Sequence, residues 1–193
     1  FAIVRPPGHH SGLKAQPHGF SFFNNIGLAA NFLKEKKKAK RVAIVDWDVH
    51  HGEGTQKLFY NTKDVLFISL HRFDNGKFFP TSSSLQVKTL ELERGLGLIS
   101  ISVGILNRSQ REQHIKELKP VETKSIVMFL KNSDPSPQII PGIIYINQRG
   151  FDSAHGDPIG NLALTETGYA FMLRELMKLN KNILLVLEGG YNK

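Results

Sequence analysis

The sequence predicts an α/β domain built around a mainly parallel sheet, on three observations. Nearly continuous apolar, β-branched runs occur at residues 42–45, 65–70, 98–103, 139–146 and 183–187, as in strands buried on both faces. Helical patterns at 25–37 and 166–179 lie between some of them, and alternating strands and helices indicate an α/β layer architecture. Four of the runs lead into polar or glycine-containing strings. In open α/β sheets the carboxyl ends of the strands are where ligands bind.

The elements follow in chain order. Gly19-Phe20-Ser21-Phe22-Phe23-Asn24-Asn25 leads into the first helix. Phe22 and Phe23 read as core. Phe20 follows a glycine and Phe79 precedes a proline; both suit the walls of a narrow apolar tunnel for a slender aliphatic stem. Lys34, Lys36, Lys37, Lys38, Lys40 and Arg41 come next. A nuclear-import signal or nucleic-acid patch is one reading of such a run. The solvated end of a helix is the preferred one, because the run separates a helix from a buried strand and cations suit a helix C-terminus. No sequence-specific contact with nucleic acid is expected. Residues 81–136 mix strand-like and helix-like pieces without clean boundaries. Thr165 is placed to cap the helix at 166–179.

Composition bounds the answer further. The 193 residues, 40% hydrophobic and 22% charged, suit one domain with a sizeable core. No apolar run approaches the roughly 18 residues of a membrane span. The chain has no cysteine, which excludes a disulfide framework and a thiolate metal site and fits a reducing compartment. It begins with Phe1 and shows neither a signal nor a transit peptide, so it reads as a piece of a longer polypeptide. The formal net charge of +8 is largely local to the basic run.

The chemistry sits in a few strings. Asp46, Asp48 and His50 in Asp46-Trp47-Asp48-Val49-His50-His51-Gly52 are spaced by two, and an extended chain points such residues the same way. Carboxylate and imidazole suit a borderline cation such as zinc, whose catalytic sites take three protein ligands and keep an open position. Asp48 and His50 supply two. Asp152 is the best third candidate, and Asp157 competes with it. His9 and His10 end the string Arg5-Pro6-Pro7-Gly8-His9-His10. Imidazoles titrate near neutral pH and serve as general base or acid. Tyr191 follows two glycines after a buried run, where a phenol can donate to an oxyanion.

Six strings now resemble one family, the class II zinc-dependent histone deacetylases. They are the string ending in His9-His10, the one from Gly19 to Asn25, the one from Asp46 to Gly52, Ser69-Leu70-His71-Arg72-Phe73-Asp74, Gly150-Phe151-Asp152 with Gly156-Asp157-Pro158, and Leu187-Glu188-Gly189-Gly190-Tyr191-Asn192. They occur in the family's order and at similar spacing. The likeness spans nearly the whole chain and is faint from about 81 to 148.

The resemblance implies an arginase-like three-layer α/β fold, here a partial catalytic domain over residues 1–193 that is incomplete at its N-terminus. It implies zinc on Asp48, His50 and Asp152. His9 and His10 are then a tandem general base and acid for zinc-activated water, and Tyr191 hydrogen-bonds the acetyl carbonyl. Asp46 sits behind His9. A structural potassium ion lies among Asp46, Asp48, His50, Ser69 and Leu70. Phe20 and Phe79 flank the acetyl-lysine stem, and the Gly19 carbonyl accepts from its amide. The implied substrates are acetylated histones or other acetyl-lysine proteins, in nucleus or cytoplasm.

Three departures stand out. Arg149 replaces a small residue before Gly150 and is expected to point away from the metal, toward Glu188 or solvent. Glu53 stands where class II members usually have Asn; near His10 its charge is expected to raise the imidazole pKa. Ser21 replaces a usual Cys and is expected to be tolerated. Arg149, Glu53 and the divergent 81–148 segment motivate a second reading, an impaired relative that binds acetyl-lysine as a scaffold in a corepressor assembly. A third is an acetylpolyamine amidohydrolase of the same superfamily. Ile159 stands where polyamine-selective relatives carry a glutamate, which favours a lysine side chain as substrate.

Overall fold

A computed structural model describes residues 8–12, 16–81, 98–103, 143–179 and 183–192. The runs read as strands form one sheet of β1 (Arg41–Asp46), β2 (Val65–Arg72), β3 (Leu98–Val103), β4 (Ile143–Arg149) and β5 (Ile183–Leu187). Every pairing is parallel and the order is β3-β2-β1-β4-β5. The described helices are α1 (Asn25–Glu35), α2 (Glu53–Phe59) and α3 (Glu166–Leu179), with a 3-10 turn at Asp74–Gly76.

Side-chain alternation along the strands builds two cores, one on each face. Val42 and Ile44 of β1, with Val65 and Phe67 of β2, pack against Ile26 and Ala30 of α1 and Phe59 of α2. Val45 and Trp47, with Ile68 and Leu70, pack on the other face against Tyr169, Met172, Leu173 and Leu176 of α3. Helices on both faces of a parallel sheet make the three layers. Among the described residues no helix is long and apolar enough to cross a membrane.

The ends of the elements have local causes. Asn24 caps α1 by accepting from the Gly27 amide at 2.7 Å, and α1 stops at Glu35, two residues before the expected end. Lys34, in its last turn, pairs with Asp64 at 2.7 Å, so this part of the basic run serves the helix end. Thr165 Oγ1 accepts from the Gly168 amide at 3.2 Å, the expected cap of α3. β4 runs past Ile146 to Arg149, because the buried Asn147 amide donates to the Val45 carbonyl at 2.9 Å. The strand-like residues 139–142 lie outside the described residues.

The topology also locates a crevice. The chain winds outward from β1 through β2 to β3, then returns to β4 on the other side of β1. The switch point lies between the carboxyl ends of β1 and β4, where doubly wound sheets bind ligands. Asp48 follows β1 and Asp152 follows β4.

Candidate active site

Three buried groups meet at the switch point. Ligand atoms of Asp48, His50 and Asp152 all lie within 4.8 Å of one another. His50 Nδ1 is 2.9 Å from Asp48 Oδ1 and 3.1 Å from Asp152 Oδ2. Backbone amides hold the carboxylates in place: Val49 donates to Asp152 Oδ1 at 2.8 Å, and Gly189 donates to Asp48 Oδ2 at 2.8 Å. One Nδ1 proton cannot satisfy two acceptors, and buried Asp152 Oδ2 is left without a hydrogen bond. An orphaned carboxylate oxygen converging with a second carboxylate and an imidazole is a donor set that fits zinc.

The glycines of two motifs make this convergence possible. A β-carbon at position 150 would lie 2.2 Å from Asp48 Oδ2. One at position 189 would lie 2.2 Å from Asp152 Oδ2. Neither contact is sterically allowed, so both positions must lack a side chain.

The electrostatics resemble a site balanced by protons in place of a cation. Burial opposes charge on His50, but the adjoining Asp152 and Asp48 carboxylates outweigh it and raise the imidazole pKa to about 9. Burial raises Asp152 to about 6, against the pull of the adjoining His50 imidazole. On Asp48 burial is overcome by His9 and His50, which hold its carboxyl well below the usual range.

His9 and His10 stand side by side, ring centroids 4.1 Å apart, yet have separate partners. His9 Nδ1 is 2.7 Å from Asp46 Oδ2, and His10 Nδ1 is 2.6 Å from Glu53 Oε2. Asp46 thus stands behind His9, and its other oxygen accepts from the Asp48 amide at 3.1 Å. Burial opposes charge on His9, but Glu188, Asp46 and Asp48 outweigh it and lift its pKa well above the ordinary value. For His10, burial and then the charge of His9 win, lowering the pKa to about 4 despite Glu53. Glu53 raises the His10 pKa as expected, but its effect does not set the net direction. Desolvation and the neighbouring imidazole pull harder.

A cavity of about 340 Å³ opens beside these groups, lined in part by His9, His10, Phe20, Asp48, Glu188 and Tyr191. Phe20 is 79% exposed and Phe79 packs edge-on to His10 at 5.0 Å. Ser21 is buried and its Oγ lies 3.4 Å from the Gly19 carbonyl. Burial and then the Asp48, Asp152 and Glu188 carboxylates push the Tyr191 phenol up, so it stays protonated near neutral pH. Ile159 lies beyond Asp157, whose Oδ1 accepts from the Ile159 amide at 2.8 Å.

Other residues depart from the sequence reading. Phe22 and Phe23, expected in the core, are 62% and 69% exposed. They precede the Asn24 cap, and the buried face of α1 begins at Ile26. Asp157 is absent from the three-ligand set; its oxygens are taken by backbone amides of Ile159, Gly160 and Tyr191. The Arg149 side chain lies outside the described residues. Sequence reasoning missed Phe78, which stacks on His50 at 5.1 Å and 13° and carries the Arg72 guanidinium on its ring at 4.3 Å. Its adjacency to Phe79 was the available signal. Ser69 pairs in register with Asp46 and its Oγ lies 2.9 Å from His71 Nδ1.

Comparison with known proteins follows the same line. The family model described as "Histone deacetylase domain" matches residues 1–193. The chain is 41% identical to the histone deacetylase HDA1 of Candida albicans, over 99% of this chain and 22% of that protein. It is 39% identical to the histone deacetylase clr3 of Schizosaccharomyces pombe, over 100% of this chain and 27% of that protein. Among solved structures, the HD domain of HDA15 superposes with a TM-score of 0.74 at 36% identity, covering 98% of this chain and 50% of that one. An acetylpolyamine aminohydrolase from Burkholderia pseudomallei gives 0.72 at 28% identity, covering 99% and 51%. The chain thus spans about a quarter of these curated relatives and half of these solved chains. The fold is the arginase-like α/β arrangement expected from the sequence, and the chain belongs to the histone deacetylase domain family.

Proposed function

We propose that these residues are part of one zinc-dependent catalytic domain that hydrolyses the acetyl amide of acetyl-lysine in histones or other proteins. The observation that carries this reading is the buried set of Asp48, His50 and Asp152, with its orphaned oxygen, beside the paired histidines. Asp48, His50 and Asp152 would hold the ion. When bound, zinc supplies Lewis-acid polarisation of the amide carbonyl and acidifies water. The residues supply the rest. The Tyr191 hydroxyl donates to the carbonyl oxygen as charge develops on it. His10, held neutral, accepts a proton from the attacking water. The pair then returns a proton to the departing lysine amine. Asp46 and Glu53 fix the two rings by holding their Nδ1 atoms.

Phe20 and Phe79 are the walls of the stem channel in this reading, and the Gly19 carbonyl accepts from the substrate amide. A structural potassium ion among Asp46, Asp48, His50, Ser69 and Leu70 belongs to the same proposal. So do location in nucleus or cytoplasm and assembly with a corepressor complex. The polyamine reading draws on one structural likeness; Ile159, 40% exposed and apolar, offers nothing to attract a cationic substrate. The test compares acetate release by the purified full-length protein from an acetyl-lysine peptide and from an N-acetylated polyamine. Preference for the peptide, abolished by a chelator and restored by zinc, is expected. Preference for the polyamine would overturn the substrate assignment.

A further inference from the structure

Asp157 is a buried carboxylate whose partners are all backbone amides. Oδ1 accepts from Ile159 at 2.8 Å and from Gly160 at 2.9 Å. Oδ2 accepts from the Tyr191 amide at 2.8 Å, across 34 residues of sequence. The residue is 5% exposed.

The need for such an anchor lies in the chain leading to Tyr191. Gly189 and Gly190 precede it, and Gly190 sits at φ +134°, a conformation other residues rarely adopt. Gly189 must lack a side chain because Asp152 Oδ2 occupies that space. Two glycines leave the backbone unusually free. Packing does little to compensate: Tyr191 is 38% exposed, and its ring contact is with Phe20, which is itself 79% exposed, at 6.5 Å. Gly189 is held by Asp48 and by the Phe151 amide, and beyond the flexible Gly190 it is the Asp157 carboxylate that holds the Tyr191 amide.

We propose that Asp157 is a positioning residue that acts through Tyr191, clasping its backbone to the 157–160 turn so that the hydroxyl is held over the reaction cavity. The turn itself is tied to the sheet, because Arg72 Nη1 of β2 donates to the Gly160 carbonyl at 3.0 Å. One carboxylate thereby links the end of β2, the loop after β4 and the loop after β5. The inference rests on the reading of Tyr191 as the donor to the carbonyl oxygen.

The chemistry of Asp157→Asn is specific. An amide has one acceptor oxygen. With that oxygen kept at the two amides of the turn, the NH2 group faces the Tyr191 N–H, donor against donor. The tyrosine is released while the turn is preserved. A misplacement of about 1 Å costs on the order of 10²-fold in rate.

The test is a double-mutant cycle in the full-length protein on an acetyl-lysine peptide, with zinc content measured for every variant. Asp157→Asn should keep zinc, change KM by less than about threefold and lower kcat by about 10- to 100-fold. In a Tyr191→Phe background the same substitution should change kcat by less than about twofold, because the group it positions is gone. Asp157→Glu keeps the carboxylate but shifts it by one methylene; it should fall between wild type and Asn and show the same loss of effect. It takes the place of Asn if that variant fails to fold. An equal cost of the Asp157 substitution in both backgrounds, with Tyr191→Phe itself strongly impaired, overturns the clasp and leaves the reading of Tyr191 intact. An unimpaired Tyr191→Phe overturns both.

Discussion

Gly189 and Asp152 are pressed so close that a β-carbon at 189 would sit 2.2 Å from Asp152 Oδ2. The glycine also donates its amide to Asp48 at 2.8 Å. It therefore shapes both carboxylates of the proposed metal set at once. Gly189→Ala is expected to displace Asp152 and lower zinc affinity by about tenfold or more, since metal sites demand narrow ligand geometry. Zinc titration of the apo variant checks this; wild-type affinity would mean that the carboxylates do not hold the ion.

Glu53 is expected to matter for His10 through position more than through charge. Glu53→Gln keeps an acceptor for Nδ1–H and should retain most of kcat. Glu53→Ala removes it and should lose about 10-fold or more, a part of what acid–base catalysis contributes. Steady-state kinetics on the two variants, with circular dichroism to confirm folding, separates the cases. Equal kcat for alanine and wild type would show that Glu53 does not orient the ring.

Much of the fold was legible because burial on both faces of a parallel sheet writes itself as unbroken apolar runs. β1, buried at all but its first residue, shows this, and β3 and β5 have the expected limits. β4 outran its apolar run because Asn147 is buried through a hydrogen bond that hydropathy does not register. α2 was not seen: Gly54, Thr55 and Gln56 are buried although they show no apolar periodicity. Phe22 and Phe23 show the converse, since apolar character alone does not say which side of a cap a ring occupies. The convergence of Asp48, His50 and Asp152 was legible from strand ends and ligand chemistry. The pairings of His9 with Asp46 and His10 with Glu53 span 37 and 43 residues, and long-range partners leave no periodic trace. The resemblance suggested them where spacing did not.

Zinc binding should release protons. In the metal-free protein His50 titrates at about 9 and Asp152 at about 6. At pH 7 the imidazole is therefore protonated, and a metal ligand must be deprotonated, so binding expels about one proton. Affinity should fall as pH drops, because each added proton competes with the ion. Calorimetry in buffers of different ionisation enthalpy reads the number directly. Binding at pH 7 with no proton release would mean that His50 is already neutral in the metal-free site.

Acid should erode the part of the metal-free protein's stability that rests on two neutral histidines, in a defined window. Burial lowers His51 to about 4, against hydrogen bonding to Gln56, and lowers His10 to about 4 as well. Their folded values lie below the ordinary histidine value near 6.5. Above that pH neither form binds the proton and stability is unaffected. As pH falls from about 6.5 toward 4, the unfolded chain takes up protons that the folded chain refuses, and stability drops. At pH 5 the loss is roughly 2 kcal/mol for each histidine. His50 and His9, with raised values, add stability as the pH falls from 7.5, so urea denaturation at pH 7.5 and 5.0 is compared between wild type and His51→Gln. His51→Gln should lessen the drop, and an equal drop in the variant would mean that His51 is not the source.

The most direct measurement takes zinc content and acetyl-lysine peptide turnover from the same sample of Asp152→Asn. Neutralising one of two carboxylates should leave zinc well below one equivalent and reduce turnover by at least about 10²-fold, with excess zinc restoring only part of it. A variant that binds a full equivalent of zinc and deacetylates at the wild-type rate would contradict the assignment of Asp48, His50 and Asp152 as the catalytic metal site.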